Sequence, residues 1–164
     1  MIWKNRIRIR EKEIHVIEKK MEEALGINYR FNTLNVERVE NTGSFNLILA
    51  DNKIAVIEKN EQYMLSISQI LKHPLNKKFV TVDSGAVSFI VNGADVMGRG
   101  VVNCDLDIKT DDIVWINEEV HKKPLAIGIA LKDGNEIITK ITGKVVATIH
   151  YIGDKTWKIE SGEL

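Results

Sequence analysis

The residues with the clearest potential for chemistry are Gly98, Arg99 and Gly100, which follow one another directly. Glycines let a ligand approach the backbone amides closely, and the guanidinium of Arg99 is a forked cation that suits a phosphate. The stretch lacks the lysine and hydroxyl of a P-loop and the third glycine of a dinucleotide fingerprint, so neither ATP nor NAD binding is indicated. An ordinary tight turn has the same spacing, so a turn and a phosphate contact both stand as interpretations.

The other residues that could do chemistry do not form a recognisable site. Asp83 and Asp95 could act as a pair of catalytic carboxylates, but helix capping is a simpler explanation of Asp83. Cys104 has no evident partner for catalysis, and we predict a small surface residue in a polar loop. The histidines fall in four separate segments without the short spacings of a metal site: His15, His73, His121 and His150. We therefore expect no enzyme activity, no cofactor and no metal.

The composition limits how the chain could bind a polyanion. Its 164 residues include 23 basic and 23 acidic side chains, so the formal net charge is zero. Residues 76–164 are slightly acidic, and any nucleic-acid contact must therefore be local, because non-specific affinity comes mainly from phosphate neutralisation. A single cysteine fits a reducing compartment, and no apolar run approaches the roughly 20 residues of a membrane span. We expect a cytoplasmic protein without a membrane segment.

The first half reads as a helix followed by antiparallel strands. Alternation within Met1–Arg10, clearest at residues 6–10, predicts a strand with arginines 6, 8 and 10 on one face, either solvated or in contact with an anion. Apolar spacing predicts a helix over Glu11–Leu25, ended by Gly26. Strands are predicted at 45–49 and 54–57 around an Asp51-Asn52 turn, then a further strand after a turn at 59–61, and a short helix capped by Ser66.

The second half is predicted to be mostly β, as a small closed barrel. Asp83 or Ser84 caps a short helix, and Gly93 sits where a left-handed residue ends it. Strands are predicted at 113–116, 124–131, 144–151 and 156–159, with turns at 133–134 and 153–154. Trp115 and Trp157 alternate with aliphatic residues, which favours core positions over base-stacking platforms. Pro74 and the polar residues 76–78 suggest a hinge and a domain boundary.

Particular stretches resemble the PUA domain, an RNA-binding module found in pseudouridine synthases and archaeosine transglycosylases. Residues 79–160 carry the resemblance through Val82–Ala86 and Gly93–Val101. Residues 149–158 and 66–74 are similar to the tail and the domain junction of the malignant T-cell amplified sequence proteins, so the resemblance covers nearly the whole chain. It implies an α+β fold, with a pre-PUA domain over 1–75, built of a helix on antiparallel strands, and a PUA pseudobarrel over 76–164.

The resemblance also implies a function and a site. Proteins of this family act on the small ribosomal subunit, and their eukaryotic forms work with the density-regulated protein in initiation, reinitiation and recycling. PUA modules hold RNA against the glycine loop and its flanking strands, which predicts these RNA-binding residues: Gly93, Met97, Gly98, Arg99, Gly100, Val101 and Lys144. Arg99 stands where related sequences often have proline, which replaces a rigid turn with a charge.

Three hypotheses follow for the function. The first is a non-catalytic, translation-associated protein that contacts small-subunit rRNA or tRNA through the PUA domain. The second is an adaptor that docks a translation initiation factor through the N-terminal strands. The third is an accessory subunit that positions RNA for a modifying enzyme, because PUA modules also serve such enzymes.

Overall fold

A five-stranded antiparallel sheet with one long helix forms the first half of the chain. The computed structural model describes residues 3, 5–40 and 42–163. The strands are in the sheet order β1-β2-β3-β4-β5. In chain order, the elements are β1 (Arg6–Arg8), α1 (Glu11–Leu25), β2 (Val36–Val39), β3 (Asn46–Ala50), β4 (Lys53–Lys59), β5 (Gln62–Leu65) and α2 (Ile67–Lys72).

The helix signal and the hairpin-turn signal of the first half act as predicted. Helix α1 has the predicted bounds, and its buried side chains include Ile14, Ile17, Met21 and Leu25. Gly26 ends it at φ 68°, in the left-handed region, and donates its amide hydrogen bond to the carbonyl of Glu22. Both residues of the predicted turn at 51–52 also have positive φ, which suits the twist of a two-residue hairpin. The helix and hairpin predictions are therefore confirmed.

The arginine-rich strand differs from its prediction. Strand β1 is only three residues long, and Arg6 is more buried than Ile7, which is 47% exposed. The Arg6 guanidinium pairs with the carboxylate of Glu37 at 2.6 Å, because β1 lies beside β2 in the sheet. Ile9 is buried as expected, and Arg10 occupies the N-cap position of α1. The predicted alternation thus holds for one isoleucine only; Met1, Ile2 and Lys4 lie outside the described residues.

The second half contains a six-stranded sheet that curves into a pseudobarrel. Its order is β7-β11-β10-β9-β6-β8, in which only the β6–β9 pair is parallel. Strands β7 and β8 remain as edges, so the barrel is not closed by strand pairing. The elements are β6 (Phe79–Val82), α3 (Val87–Ile90), β7 (Val96–Met97), β8 (Val101–Cys104), β9 (Ile113–Glu118), β10 (Pro124–Ala130), α4 (Gly134–Ile137), β11 (Lys144–Tyr151) and α5 (Lys155–Glu160).

Two predicted hairpin connections lead into helices instead. The predicted strand at 156–159 is part of helix α5, because the Asp154 carboxylate accepts the amide hydrogen of Trp157 at 2.8 Å and caps the helix. Asp133 likewise precedes α4 rather than forming a hairpin turn with Gly134. Trp157 is half-buried on the helix and packs against the core, and Trp115 is buried in β9, so both tryptophans contribute to the core as predicted.

One hydrophobic core extends across both halves, and a second core lies within the second half alone. The core between α1 and the first sheet also contains Ile113, Trp115, Ile127 and Ile129, which belong to the second sheet. The indole N–H of Trp115 donates a hydrogen bond to the carbonyl of Lys77 at 2.8 Å. The predicted hinge at residues 76–78 is therefore held by the second half. A domain boundary between residues 75 and 76 stays a prediction, which is consistent with the change of sheet there.

No helix within the described residues is long and apolar enough to cross a membrane.

Candidate functional site

A groove of about 690 Å³ opens between the short helices that follow β6 and the paired strands β7 and β11. Five of the seven residues predicted to bind RNA line it, namely Gly93, Met97, Arg99, Gly100 and Lys144. Pairing of β7 with β11 sets Lys144 opposite Met97, although the two are far apart in sequence. The fold thus gathers most of the predicted residues in one cavity.

Asp83 forms hydrogen bonds to both sides of this groove, the helical side after β6 and the side that carries Arg99. Its carboxylate accepts the amide hydrogen of Ala86 at 3.0 Å and caps a single 3-10 turn at Ser84–Ala86, which leads into α3. Its own amide donates to the carbonyl of Gly100 at 2.8 Å. The capping explanation of Asp83 is confirmed, and this residue positions the wall that carries Arg99.

Gly93 lies at the end of the helical side of the groove, in the turn that follows α3. Its φ of 91° lies in the left-handed region, as predicted, and its amide donates to the carbonyl of Ile90 at 3.0 Å. A Cβ atom at this position would lie 3.0 Å from the ring of Tyr151. Gly93 therefore permits both the turn and the close packing of β11 against it.

The Gly98–Gly100 stretch forms one 3-10 turn rather than an open loop, and Gly98 serves packing. Gly98 is buried, and its amide donates to the carbonyl of Gly143 at 2.9 Å. An added Cβ would lie 2.0 Å from the carbonyl oxygen of Ile141. Close contact with another backbone segment therefore requires glycine at this position, and RNA binding by Gly98 stays a prediction.

Val101 is buried and does not line the groove. Its side chain is 1% exposed, and its amide donates to the carbonyl of Gly98. Gly100, by contrast, borders the groove, where an added Cβ would lie 3.4 Å from the Cβ of Ala86, an ordinary van der Waals distance. Gly98 and Val101 thus shape the turn, whereas Arg99 and Gly100 face the cavity.

The charges that line the groove balance. Lys144 forms an ion pair with Asp95 at 3.1 Å, and the other carboxylate oxygen of Asp95 accepts the amide hydrogen of Thr148 at 2.9 Å. Asp83 is the second acidic residue, and Arg99 is the second basic one. Among the described residues, the exposed guanidinium of Arg99 has no ion-pair partner. Arg99 is therefore the cation available to an incoming anion.

Phe89 is a groove residue that the sequence reasoning missed. It lies on α3 and is 66% exposed, and Met97 on the opposite wall is 48% exposed. Single exposed apolar residues are common, but two large ones that face the same cavity are typical of a binding surface. The signal was present in the sequence, because Phe89 falls off the apolar face formed by Val87 and Ile90.

The remaining candidate residues lie elsewhere. Cys104 is 4% exposed in β8 and its thiol contacts the carbonyl of Gly134, so the prediction of a surface loop is wrong. Burial raises the pKa of this thiol, with a further contribution from the charge of Asp105. Within residues 3, 5–40 and 42–163, His, Cys, Asp and Glu side chains form no cluster of three that could hold a metal ion.

Comparison with known proteins identifies the family. The family model of the PUA domain matches residues 78–152. An uncharacterized protein of Methanocaldococcus jannaschii is 40% identical over 119 residues, which are 73% of this chain and 74% of the relative. The chain belongs to the PUA-domain family. The fold is similar to the crystal structure of a hypothetical protein from Pyrococcus horikoshii, with TM-score 0.83, 30% identity and coverage of 95% of this chain and 99% of that one.

The similarity extends to relatives whose names include one from translation. Translation machinery-associated protein 20 of Saccharomyces cerevisiae is 27% identical over 128 residues, 74% of this chain and 71% of the relative. A malignant T-cell-amplified sequence 1 homolog of Dictyostelium discoideum is 28% identical over 127 residues, 74% of this chain and 70% of the relative. The family resemblance seen in the sequence is confirmed.

Proposed function

We propose that this PUA protein binds RNA of the translation machinery, either small-subunit rRNA or tRNA, in the groove lined by Phe89, Met97 and Arg99, and that it catalyses no reaction. The observation that carries the proposal is the convergence of an unpaired arginine and an exposed aromatic ring in one cavity of a PUA fold. The name of the Saccharomyces cerevisiae relative supports the link to translation. A role in translation is in turn the reason that we propose a cytoplasmic protein.

The balance of charges determines how such RNA would be held. Lys144 is already engaged by Asp95, so few phosphates could be neutralised in the groove. Unpaired bases stack on aromatic side chains regardless of sequence, and this favours an unpaired RNA segment with one base against Phe89 and one phosphate near Arg99. Gly93, Gly100 and Lys144 form the walls, while Gly98 and Val101 hold them in place.

The test is fluorescence anisotropy with a labelled tRNA and with labelled single-stranded fragments of small-subunit rRNA, at several salt concentrations. Arg99→Ala should weaken binding about tenfold, because one charge-assisted hydrogen bond contributes about 1.5 kcal/mol. The slope of log affinity against log salt should fall by about one unit. Lys132→Ala is the control, since Lys132 is also an exposed cation but does not line the groove. Equal affinities of wild type and Arg99→Ala for every RNA would contradict the site.

A further inference from the structure

A second groove, of about 380 Å³, lies where the two halves meet. We call it the seam groove; its walls include Leu71 in α2, Pro74 and Leu75 after α2, and Asn117, Lys122 and Lys123 around the β9–β10 connection. It is separate from the groove lined by Phe89, Met97 and Arg99, which we call the RNA groove after its proposed function. Thr81 lines the seam groove whereas its neighbour Val82 lines the RNA groove, so the paired strands β6 and β8 lie between them.

The floor of the seam groove suits an aliphatic side chain. Leu71, which is 52% exposed, lines the apolar part of the groove together with Pro74 and Pro124. Trp115 also lines it, but its side chain is 4% exposed and its N–H is bonded to Lys77. The ring is therefore no platform for a stacked base. An apolar anchor from a protein matches this floor better than a nucleotide does.

The rim of the seam groove is basic. Of the described residues that line it, His121, Lys122 and Lys123 carry basic groups and none carries a carboxylate. In the same connection, the Glu118 carboxylate accepts the amide hydrogens of His121 and Lys122, and the Lys122 ammonium contacts the carbonyl of Glu119 at 3.0 Å. No side-chain ion pair within the described part of the chain neutralises Lys122 or Lys123. This contrasts with the balanced charges of the RNA groove.

We propose that the seam groove binds an acidic segment of a partner protein. The segment inserts an aliphatic side chain beside Leu71 and places its carboxylates against Lys122 and Lys123. RNA phosphates would satisfy the lysines but leave the apolar floor unused. Because β6 and β8 separate the two grooves, RNA and the acidic segment can be bound at the same time. The proposal does not depend on the RNA site.

The test is selection of a random twelve-residue peptide display library on the full chain, with counter-selection on the Lys122→Glu/Lys123→Glu double variant. We expect enriched peptides that combine several Asp or Glu residues with a Leu, Ile or Val. Such a peptide, synthesised with a fluorescent label, should bind at least tenfold more weakly to the double variant and to Leu71→Asp, and binding should weaken with salt. Arg99→Ala should bind it as wild type does.

Several results would overturn the proposal. They are failure to enrich any peptide over the counter-selection, enrichment of peptides without acidic residues, and equal binding to wild type and the double variant. A twelve-nucleotide single-stranded RNA that loses affinity for the double variant, when no peptide does, would assign the groove to RNA. Thermal melts verify that the variants fold, and Leu71→Ser replaces Leu71→Asp if the latter is destabilised. A negative result for the seam groove leaves the Arg99→Ala test intact, since Arg99 lines the other groove.

Discussion

Replacing Gly98 with alanine should destabilise the whole protein rather than remove a ligand contact. The new Cβ would lie 2.0 Å from the carbonyl oxygen and 3.0 Å from the carbonyl carbon of Ile141, and both are backbone atoms that no side-chain rotation can move aside. Overpacking of this kind costs about 1–3 kcal/mol. Displacement of the Gly98 amide from the carbonyl of Gly143 adds about 1 kcal/mol. We therefore expect a loss of about 2–4 kcal/mol in the free energy of unfolding.

Urea denaturation followed by tryptophan fluorescence measures this loss, and a thermal melt should show a decrease of roughly 5–15 °C, since 1 kcal/mol shifts the midpoint by about 2–4 °C at this chain length. Gly100→Ala is the matched control. Its Cβ meets the Cβ of Ala86 at 3.4 Å, and it should cost less than about 1 kcal/mol. If Gly98→Ala unfolds like the wild type yet binds RNA more weakly, the packing explanation is refuted and Gly98 acts on the ligand.

Three further predictions concern other residues. Phe89→Ala should lower RNA affinity by about 1–3 kcal/mol, because a stacked base is lost, without changing the salt slope. The melting temperature should stay the same, because Phe89 is 66% exposed. Fluorescence anisotropy and a thermal melt distinguish this result from that of Arg99→Ala, and an unchanged affinity would contradict stacking. Burial opposes ionisation of Asp154, but hydrogen bonds from His150, Trp157 and Tyr151 outweigh it and lower the pKa of this carboxyl. Ionised Asp154 therefore stabilises the folded state above its ordinary pKa of 3.8, and this contribution is lost as the pH falls through the lower pKa of the folded state. Urea unfolding at pH 2–7 should therefore show a smaller acid-dependent loss for Asp154→Asn than for the wild type, and equal losses would contradict this contribution. The Cys104 thiol should react with a chromogenic disulfide reagent only as fast as the protein opens; rapid labelling of the native protein would contradict its burial.

Elements with strong local signals were predictable from the sequence. Helix α1 combines four regularly spaced apolar residues with a terminal glycine, and Ser66 caps α2 through the amide of Gln69 at 3.3 Å. Strand β11 has the predicted bounds because it is long and rich in β-branched residues. Such features depend on residues that are close in sequence.

The features that were missed depend on distant residues or on one competing interaction. Trp157 and Ile159 alternate as in a strand, but the cap at Asp154 favours a helix. The need for glycine at position 98 arises from Ile141, which only the folded structure brings near. Likewise, Cys104 precedes a polar, acidic stretch that begins at Asp105 but is buried against α4. The candidate site was therefore predicted as a set of residues, while the role of Gly98 within it was not.

The core that the two halves share has a consequence for synthesis of the chain. Ile113, Trp115, Ile127 and Ile129 lie on the second sheet, yet they are buried with the side chains of the first. A fragment that begins at residue 76 would present these four side chains to water and tend to aggregate. On the ribosome the first half of the chain emerges earlier, so the side chains of the first sheet that cover these four residues are synthesised before the four residues themselves. We therefore expect the order of the two halves to protect the nascent chain while its second sheet forms.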